Sequence, residues 1–231
     1  MGATVVFYFD FLSPYSYIAF KLLQRLKGPW DLAVEYQPVR LPHIIKATNN
    51  APPAAIPARK AFLNKDLRRT CGMHDIPFAP APNFMMTPMK GAGLVITAAD
   101  CWVKAGRLSK TELEELISGI WKEFFAEGNT AAFTENPVDL LQVIESLVST
   151  KEVARELVGL AGREETLKAL YATTDEALAK GAYGMPTILV RKGEEVEFFF
   201  GGDRFHHIAE FLGIDPRTFF DYTTSLRRSK I

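Results

Sequence analysis

The strongest constraint in this sequence is that its predicted strands are confined to the two ends of the chain. Residues 4–10 form an apolar, β-branched and aromatic run, which predicts a strand that is buried on both faces. An amphipathic helix to about Lys27 and an alternating strand from Leu32 to Val39 follow. A strand, a helix and a second strand in this order favour a parallel pair of strands.

The middle of the chain, from about Ile44 to Lys180, shows helical periodicity and almost no strand pattern. Strands return only in a hairpin, over Thr187 to Val190 and Val196 to Phe200, and residues 201–213 predict a final helix. The elements therefore follow the order βαβ, helices, ββα. Five segments of the middle predict helices by their periodicity and their end signals, and they begin at Ala58, Lys90, Ser109, Asn136 and Glu164.

Composition argues against several classes of partner. The 231 residues include 27 Lys and Arg and 27 Asp and Glu, so the zero net charge gives no electrostatic case for nucleic acid or anionic membranes. No apolar run reaches the ~18 residues that a membrane span needs. The histidines lack metal-ligand spacing, and Cys71 and Cys101 predict ordinary thiols in a reducing compartment, so we expect neither a metal site nor a disulfide framework.

The turn after the first strand reads SPYS, from Ser13 to Ser16. Many proteins with this organisation carry cysteines at both serine positions, where the helix N-terminus lowers the pKa of the first thiol. An alcohol starts from a far higher pKa and no His or Asp nearby serves as a base, so Ser13 is a poor nucleophile but a good hydrogen-bond donor. The turn fits a site that holds the thiolate of a ligand, and a plain helix N-cap is the alternative interpretation.

The dipeptide Met185-Pro186 immediately precedes the third strand. A cis peptide bond here would direct the backbone of Met185 towards the first helix and leave its N–H and C=O free to pair with an extended peptide. A trans proline that opens the strand is the alternative interpretation. Together with the serine turn, the cis form suggests a cysteine-containing peptide as the ligand.

The sequence GGDR, from Gly201 to Arg204, opens the last predicted helix. Gly202 and Asp203 could bind a charged amino-acid head group through N–H groups and a carboxylate. The alternative interpretation is the end of a hairpin, with Asp203 as the N-cap of the helix.

In combination, four segments resemble the kappa class of glutathione transferases over almost the whole chain. The resemblance implies an α/β, thioredoxin-like fold with an all-helical domain inserted between the βαβ and ββα halves. It predicts a glutathione-binding domain from residues 1–43 and 181–231 and a helical insertion over residues 44–180. The four segments are FYFDFLSPYS, NNAPPAAIPARKAFLNKDL, TTDEALAKGAYGMPT and FFGGDR.

The resemblance also implies that glutathione is a co-substrate. It gives roles to the SPYS turn and to the loop that contains Met185 and Pro186. Ser13 would be the catalytic residue that stabilises the glutathione thiolate. Pro14 and Tyr15 would belong to the same wall of the site. Met185, before a cis Pro186, would pair with the backbone of the glutathione cysteine.

Four further residues would bind the two ends of glutathione. Asn50 would contact the tripeptide and Lys60 its glycine carboxylate, although Lys60 also fits a solvated helix charge. Gly202 and Asp203 would hold the γ-glutamyl end. Relatives often have Ser at the position of Gly202, so one hydroxyl contact is missing, and Leu or Val at the position of Met185, where only the backbone acts.

The implied activity is conjugation of glutathione to small electrophiles, or peroxide reduction, as in detoxification. An isomerase of the 2-hydroxychromene-2-carboxylate type, in which the thiolate adds and leaves again, is the first alternative. The loop NNAPPAAIPARK and the longer chain favour the transferase. A non-catalytic protein that binds glutathione or peptides is the second alternative. Thiol–disulfide exchange is disfavoured because it needs a protein thiolate at the turn.

The resemblance further implies a homodimer in mitochondria or peroxisomes. The sequence shows no leader, and its end, Ser229-Lys230-Ile231, differs by one residue from a peroxisomal address. A peroxisomal location is therefore expected, with a mitochondrion or the cytoplasm as alternatives. The other interpretation of the last three residues is a frayed polar tail. Asn83 to Met89, NFMMTPM, is a plausible wall for the electrophile, though Met-rich stretches also serve as adaptable core.

Overall fold

The computed structural model describes residues 2–228, in which four strands form one sheet between groups of helices. The strands are β1 (Ala3–Phe9), β2 (Leu32–Pro38), β3 (Thr187–Lys192) and β4 (Glu195–Phe200). The helices are α1 (Pro14–Leu26), α2 (Leu41–Ala47), α3 (Pro57–Met73), α4 (Lys90–Lys104), α5 (Lys110–Trp121), α6 (Leu141–Glu145), α7 (Lys151–Ala161), α8 (Glu164–Ala179), α9 (Phe205–Leu212) and α10 (Thr218–Arg228).

The sheet has the strand order β2-β1-β3-β4. β1 pairs in parallel with β2, as the βαβ pattern predicts, and antiparallel with β3, which pairs antiparallel with β4. In the β1–β3 register Tyr8 lies opposite Thr187. The end of β1 therefore lies beside the beginning of β3, so that the segments after β1 and before β3 meet at one edge of the sheet.

The central strand β1 is buried on both faces, as predicted. Phe7 and Phe9 belong to the main core, where the rings of Phe9 and Trp121 lie 5.0 Å apart. Val6 and Tyr8 point into a second, smaller core on the other face. Because the side chains of a strand alternate between faces, one apolar run supplies both cores.

The helical middle follows the prediction at all five segments, with two local deviations, and it also contains α7, which none of the five segments predicted. α5 continues into a π-helical turn over Lys122–Ala126, and the segment from Asn136 forms a 3-10 turn before the short α6. The domain boundaries at residues 43/44 and 180/181 stay predictions, and the first falls inside α2. Among the described helices, none is both long and apolar enough to span a membrane.

The expectation that residues 201–213 contain the final helix is wrong, because α10 follows α9. Much of α10 consists of Thr and aromatic residues, which have low helix propensity, so its sequence gives a weak helical signal. Tertiary packing stabilises it: the ring of Phe219 stacks on Phe205 with the centroids 5.9 Å apart. Arg25 of α1 also donates to the carbonyl oxygen of Thr223 at 3.3 Å.

Candidate functional site

Ser13 lies at the N-terminus of α1, where the chain turns from β1 into the helix. Its backbone is extended, with φ −82° and ψ 111°, and its hydroxyl oxygen accepts a hydrogen bond from the N–H of Ser16 at 3.1 Å. Pro14 occupies the first turn of the helix, where a missing N–H is tolerated. The N-cap interpretation is therefore confirmed, and it puts Ser13 at the positive end of the helix dipole.

The same hydroxyl connects the turn to the loop before β3. Ser13 Oγ donates to the carbonyl oxygen of Met185 at 3.0 Å, across 172 residues of sequence. The Met185–Pro186 peptide bond is cis, which confirms that expectation. The expectation of a free Met185 carbonyl is wrong, because the Ser13 hydroxyl occupies it. A ligand thiolate must therefore compete with this carbonyl for the one proton that Ser13 can donate.

Asp10 lies close to Ser13, but its carboxylate does not bind the hydroxyl, in agreement with the expectation that no nearby Asp serves as a base. The carboxylate is buried and accepts hydrogen bonds from the N–H groups of Leu12 at 2.8 Å and Leu41 at 2.7 Å. Burial raises the pKa of Asp10, and these two N–H groups oppose the shift. The Asp10 carbonyl accepts from the N–H of Ser13 at 3.0 Å. Asp10 thus fixes the turn and the start of α2.

The role of Asp10 was missing from the sequence interpretation. The available signal is an Asp at the end of an apolar strand just before a turn, which is typical of an Asx turn. That signal predicts the local bond to Leu12, whereas the bond to Leu41 depends on where α2 packs.

Tyr15 forms one wall of a cavity of about 400 Å³ beside the turn. Its hydroxyl donates to Asp66 of α3 at 3.0 Å, and burial together with this carboxylate raises the pKa of Tyr15. Arg59 and the exposed Phe62 line the same cavity, but Lys60 does not. Adjacent helix positions point roughly 100° apart, so the sequence shows two neighbouring cations without showing which one faces the site.

Asn50 and Met185 lie in loops that contact each other. The side-chain amide of Asn50 donates to the carbonyl oxygen of Tyr183 at 2.7 Å, and its oxygen accepts from the N–H of Ala51. Tyr183 precedes Met185 by two residues, so the structure brings the loop at Asn50 next to the loop that contains Met185 and Pro186. This Asn50 side chain is exposed at the same edge of the sheet as the serine turn.

Gly202 lies in close contact with the first turn of α1. A Cβ atom at this position would lie 2.8 Å from the backbone oxygen of Tyr15, a distance that real side chains almost never show. The missing hydroxyl at Gly202 therefore has a steric reason, since Ser would not fit without a backbone shift. Its neighbour Asp203 is exposed and pairs with Arg204.

Asp203 does not cap the helix that follows it. α9 begins at Phe205, its N-cap is Arg204, and that cap makes no side-chain hydrogen bond. The interpretation of Asp203 as an N-cap is therefore wrong. The negative charge of Asp203 helps to raise the pKa of Tyr15, so this carboxylate lies within electrostatic reach of the turn.

Neither cysteine belongs to the turn. Cys71 lies buried in α3, and burial raises the pKa of its thiol to about 12, so it stays protonated at neutral pH. Cys101 lies exposed in α4. Within residues 2–228 no group of three or more His, Cys, Asp or Glu side chains forms a cluster that could hold a metal ion.

Three comparisons relate this chain to known proteins. The family model for the DSBA-like thioredoxin domain matches residues 4–213. A glutathione S-transferase kappa 1 of Caenorhabditis elegans is 33% identical over 215 residues, which are 89% of each chain. A 2-hydroxychromene-2-carboxylate isomerase of Sphingobium xenophagum is 24% identical, over 92% of this chain and 99% of its own.

A solved structure of a 2-hydroxychromene-2-carboxylate isomerase has a similar fold. It superimposes with a TM-score of 0.72 at 20% identity and covers 91% of this chain and 94% of its own. At this identity the match supports the thioredoxin-like fold, with helices between the two halves of the sheet.

We predict that Gly202→Ala lowers the free energy of unfolding by about 1–3 kcal/mol, as expected for overpacking against backbone. The added methyl group would meet the Tyr15 backbone oxygen. Gly159→Ala in α7 is the matched control, because a Cβ there meets no atom within 4 Å. Urea unfolding measures both variants. Equal unfolding midpoints for the two variants would contradict the close contact at Gly202.

Proposed function

Because the chain belongs to the glutathione S-transferase kappa family, within the DSBA-like thioredoxin domains, we propose that it activates the thiol of glutathione as a thiolate. The thiolate would then conjugate small electrophiles or reduce peroxides. The observation that carries this proposal is the Ser13 hydroxyl, which lies at the N-terminus of α1 and is bonded to the Met185 carbonyl. No cysteine lies in this turn, so the reactive sulfur must come from the ligand.

The geometry at Ser13 supports thiolate stabilisation by a donor and by a dipole. A charge-assisted hydrogen bond contributes roughly 1.5–3 kcal/mol, and a helix N-terminus about 0.3–1 kcal/mol. A free thiol of pKa ~8.5 loses one pKa unit for each ~1.4 kcal/mol that favours the anion. The hydroxyl is therefore the larger of the two effects and can lower the pKa of a bound thiol by roughly one to two units.

Binding of the peptide would release this hydroxyl through an exchange of partners. The Met185 carbonyl now accepts from Ser13. When the N–H of the glutathione cysteine donates to that carbonyl, the Ser13 proton becomes available to the sulfur. The carbonyl keeps a partner throughout, so the exchange avoids the cost of an unsatisfied buried group.

The ends of glutathione would lie in two charged regions. Arg59 lines the cavity beside Tyr15 and is the better-placed cation for the glycine carboxylate, with Lys60 as the neighbouring candidate. Asn50 would contact the tripeptide. Gly202 N–H and the Asp203 carboxylate would hold the γ-glutamyl end. Asp203 would then exchange its exposed pair with Arg204 for the ammonium group of the ligand.

The isomerase remains the second candidate, which the relative in Sphingobium xenophagum supports. Its chemistry needs the same stabilised thiolate but returns glutathione unchanged. A protein that only binds glutathione or peptides is the third candidate. We also propose that the protein is a homodimer, as the family resemblance implies. Gel filtration at several protein concentrations measures its oligomeric state.

We predict that Ser13→Ala keeps glutathione bound but raises the pKa of the bound thiol by about one unit or more. Conjugation to a generic aryl halide should fall with the thiolate fraction. The thiolate absorbance across pH and the consumption of glutathione are measured on the same samples. An unchanged thiolate titration in Ser13→Ala would refute the role of this hydroxyl.

Ser109→Ala is the matched control for the loss of a helix cap. Ser109 caps α5 through its own hydroxyl, so this variant loses a similar N-cap without touching the turn at Ser13. It should leave the pKa of the bound thiol unchanged.

In the unmodified protein, a lowered thiol pKa without glutathione consumption would favour the isomerase or a binding role. The absence of any thiolate would mean that Ser13 is only a helix cap.

We predict that glutathione methylated on the cysteine amide nitrogen shows a smaller pKa depression when bound. This analogue cannot donate to the Met185 carbonyl, so the Ser13 hydroxyl stays where it is. Glutathione methylated on the glycine amide nitrogen is the control and should behave like glutathione. The same pKa for both analogues would contradict the exchange of partners.

We also propose a peroxisomal location from Ser229-Lys230-Ile231, which lie outside the described residues. A fluorescent fusion that leaves Ile231 free should give a punctate signal in cells that also carry a peroxisomal marker. Deletion of residues 229–231 should disperse it. A diffuse signal from both fusions would reject this location in favour of the cytoplasm, and overlap with a mitochondrial marker would favour that organelle.

A further inference from the structure

A second cavity, of about 450 Å³, lies against the face of α1 that is roughly opposite Tyr15. Its volume falls in the range of roughly 300–1,000 Å³ that is typical of small-molecule sites. α1 contributes Lys21, Gln24 and Arg25 to the lining, and Ser118 and Lys122 lie across from them. None of these residues takes part in the glutathione site proposed above.

Lys21 has a positive charge without a carboxylate partner among the described residues. Its ammonium donates to Ser118 Oγ at 2.8 Å and to Gln24 Oε1 at 3.2 Å, which are both neutral acceptors. An ammonium group has three N–H donors, so one remains available. Burial and the nearby Arg25 lower the pKa of Lys21, and the charge of Glu114 opposes this shift.

The nearest acid is already neutralised by other groups. Glu114 accepts from Lys27 at 2.6 Å, from the hydroxyl of Tyr36 at 2.9 Å and from Gln24 Nε2 at 3.1 Å. Gln24 therefore stands between Lys21 and Glu114, accepting from one and donating to the other. Glu114 forms its ion pair with Lys27 and acts on Lys21 only from a distance.

Two further cations increase the positive potential of the cavity. The Arg25 guanidinium donates to the carbonyl oxygens of His74 and Asp75, which are neutral acceptors, while the Asp75 carboxylate lies within electrostatic reach. The ammonium of Lys122 is largely exposed and lies 4.0 Å from the carboxylate of Glu127. The lining thus contains three cations and one carboxylate.

The wall of the cavity that lies across from α1 has an unusual backbone conformation. Lys122–Ala126 form a π-helical turn, closed by a hydrogen bond from Glu127 N–H to the Lys122 carbonyl at 3.0 Å. π turns are rare and are frequently found at functional sites. Pro77 adds exposed apolar surface to the cavity, and its carbonyl accepts a hydrogen bond at 2.7 Å from the hydroxyl of the buried Tyr17.

We propose that this cavity binds a small organic dianion, with two acidic groups on a flat apolar body. Lys21 would donate its remaining N–H to one acidic group, beside the hydroxyl of Ser118. The charges of Arg25 and Lys122 would compensate the second group. The apolar part would lie against Pro77. Such a ligand supplies two negative charges to a lining that has three cations and one carboxylate.

Phthalate, an aromatic dicarboxylate, is the probe that tests this site by calorimetric titration of the full chain. We expect saturable binding in the millimolar range or tighter, and about tenfold weaker binding by Lys21→Met, which is the effect of losing one charge-assisted hydrogen bond. Lys104→Met is the matched control, because this lysine is exposed on α4 and pairs with Asp100. It should bind phthalate like the unmodified protein.

Lys122→Gln is a second variant, and it changes an exposed side chain (66% exposed), so it should not disturb the core. It should weaken phthalate binding several-fold, and circular dichroism checks the fold of each variant. Inorganic phosphate should bind more weakly than phthalate if the apolar body contributes. No saturable phthalate binding, equal affinity in Lys21→Met, or equal affinity for neutral dimethyl phthalate would each overturn the proposal.

Discussion

The pairing of β1 with β3 is the constraint on which the rest of the structure depends. These strands are separated by most of the chain, yet they lie side by side and antiparallel at the centre of the sheet. Antiparallel pairing brings the end of β1 next to the beginning of β3. Ser13 follows one of these ends and Met185 precedes the other, so their hydrogen bond is a consequence of strand register. The intervening helices are free to vary provided that they return the chain to this edge.

Features set by local pattern were predictable from the sequence. The apolar run of β1, the alternation of β2 and the N-cap at Ser13 each depend on residues that are neighbours in the chain. The cis bond before Pro186 was inferred from the resemblance to a known class rather than from any local rule, because X-Pro bonds are mostly trans. The parallel pairing of β1 and β2 followed from the length of the connection between them.

Features set by tertiary contact were not predictable. The Asp10–Leu41 bond, the orientation of Arg59 towards Tyr15 and the occupation of the Met185 carbonyl all involve segments whose relative position the sequence does not state. α10 illustrates the same limit for secondary structure, since its low helix propensity is overcome by the stacking of Phe219 on Phe205. Residues of the site that act through neighbours in space are therefore the ones that sequence patterns miss.

Helix α1 would hold two anions, a thiolate at its N-terminus and a dianion against its side. Lys21 is eight residues from Ser13, which is about 12 Å along a helix. This distance exceeds the screening length of roughly 8–10 Å at physiological salt, so direct repulsion between the two ligands is weak where solvent reaches them. Phe20 of α1 also packs against Trp121 of α5, with the ring centroids 4.8 Å apart, which fixes the helix against the core. The two sites therefore share one element for different physical reasons: its terminus supplies a dipole and a hydroxyl, and its side supplies two cations.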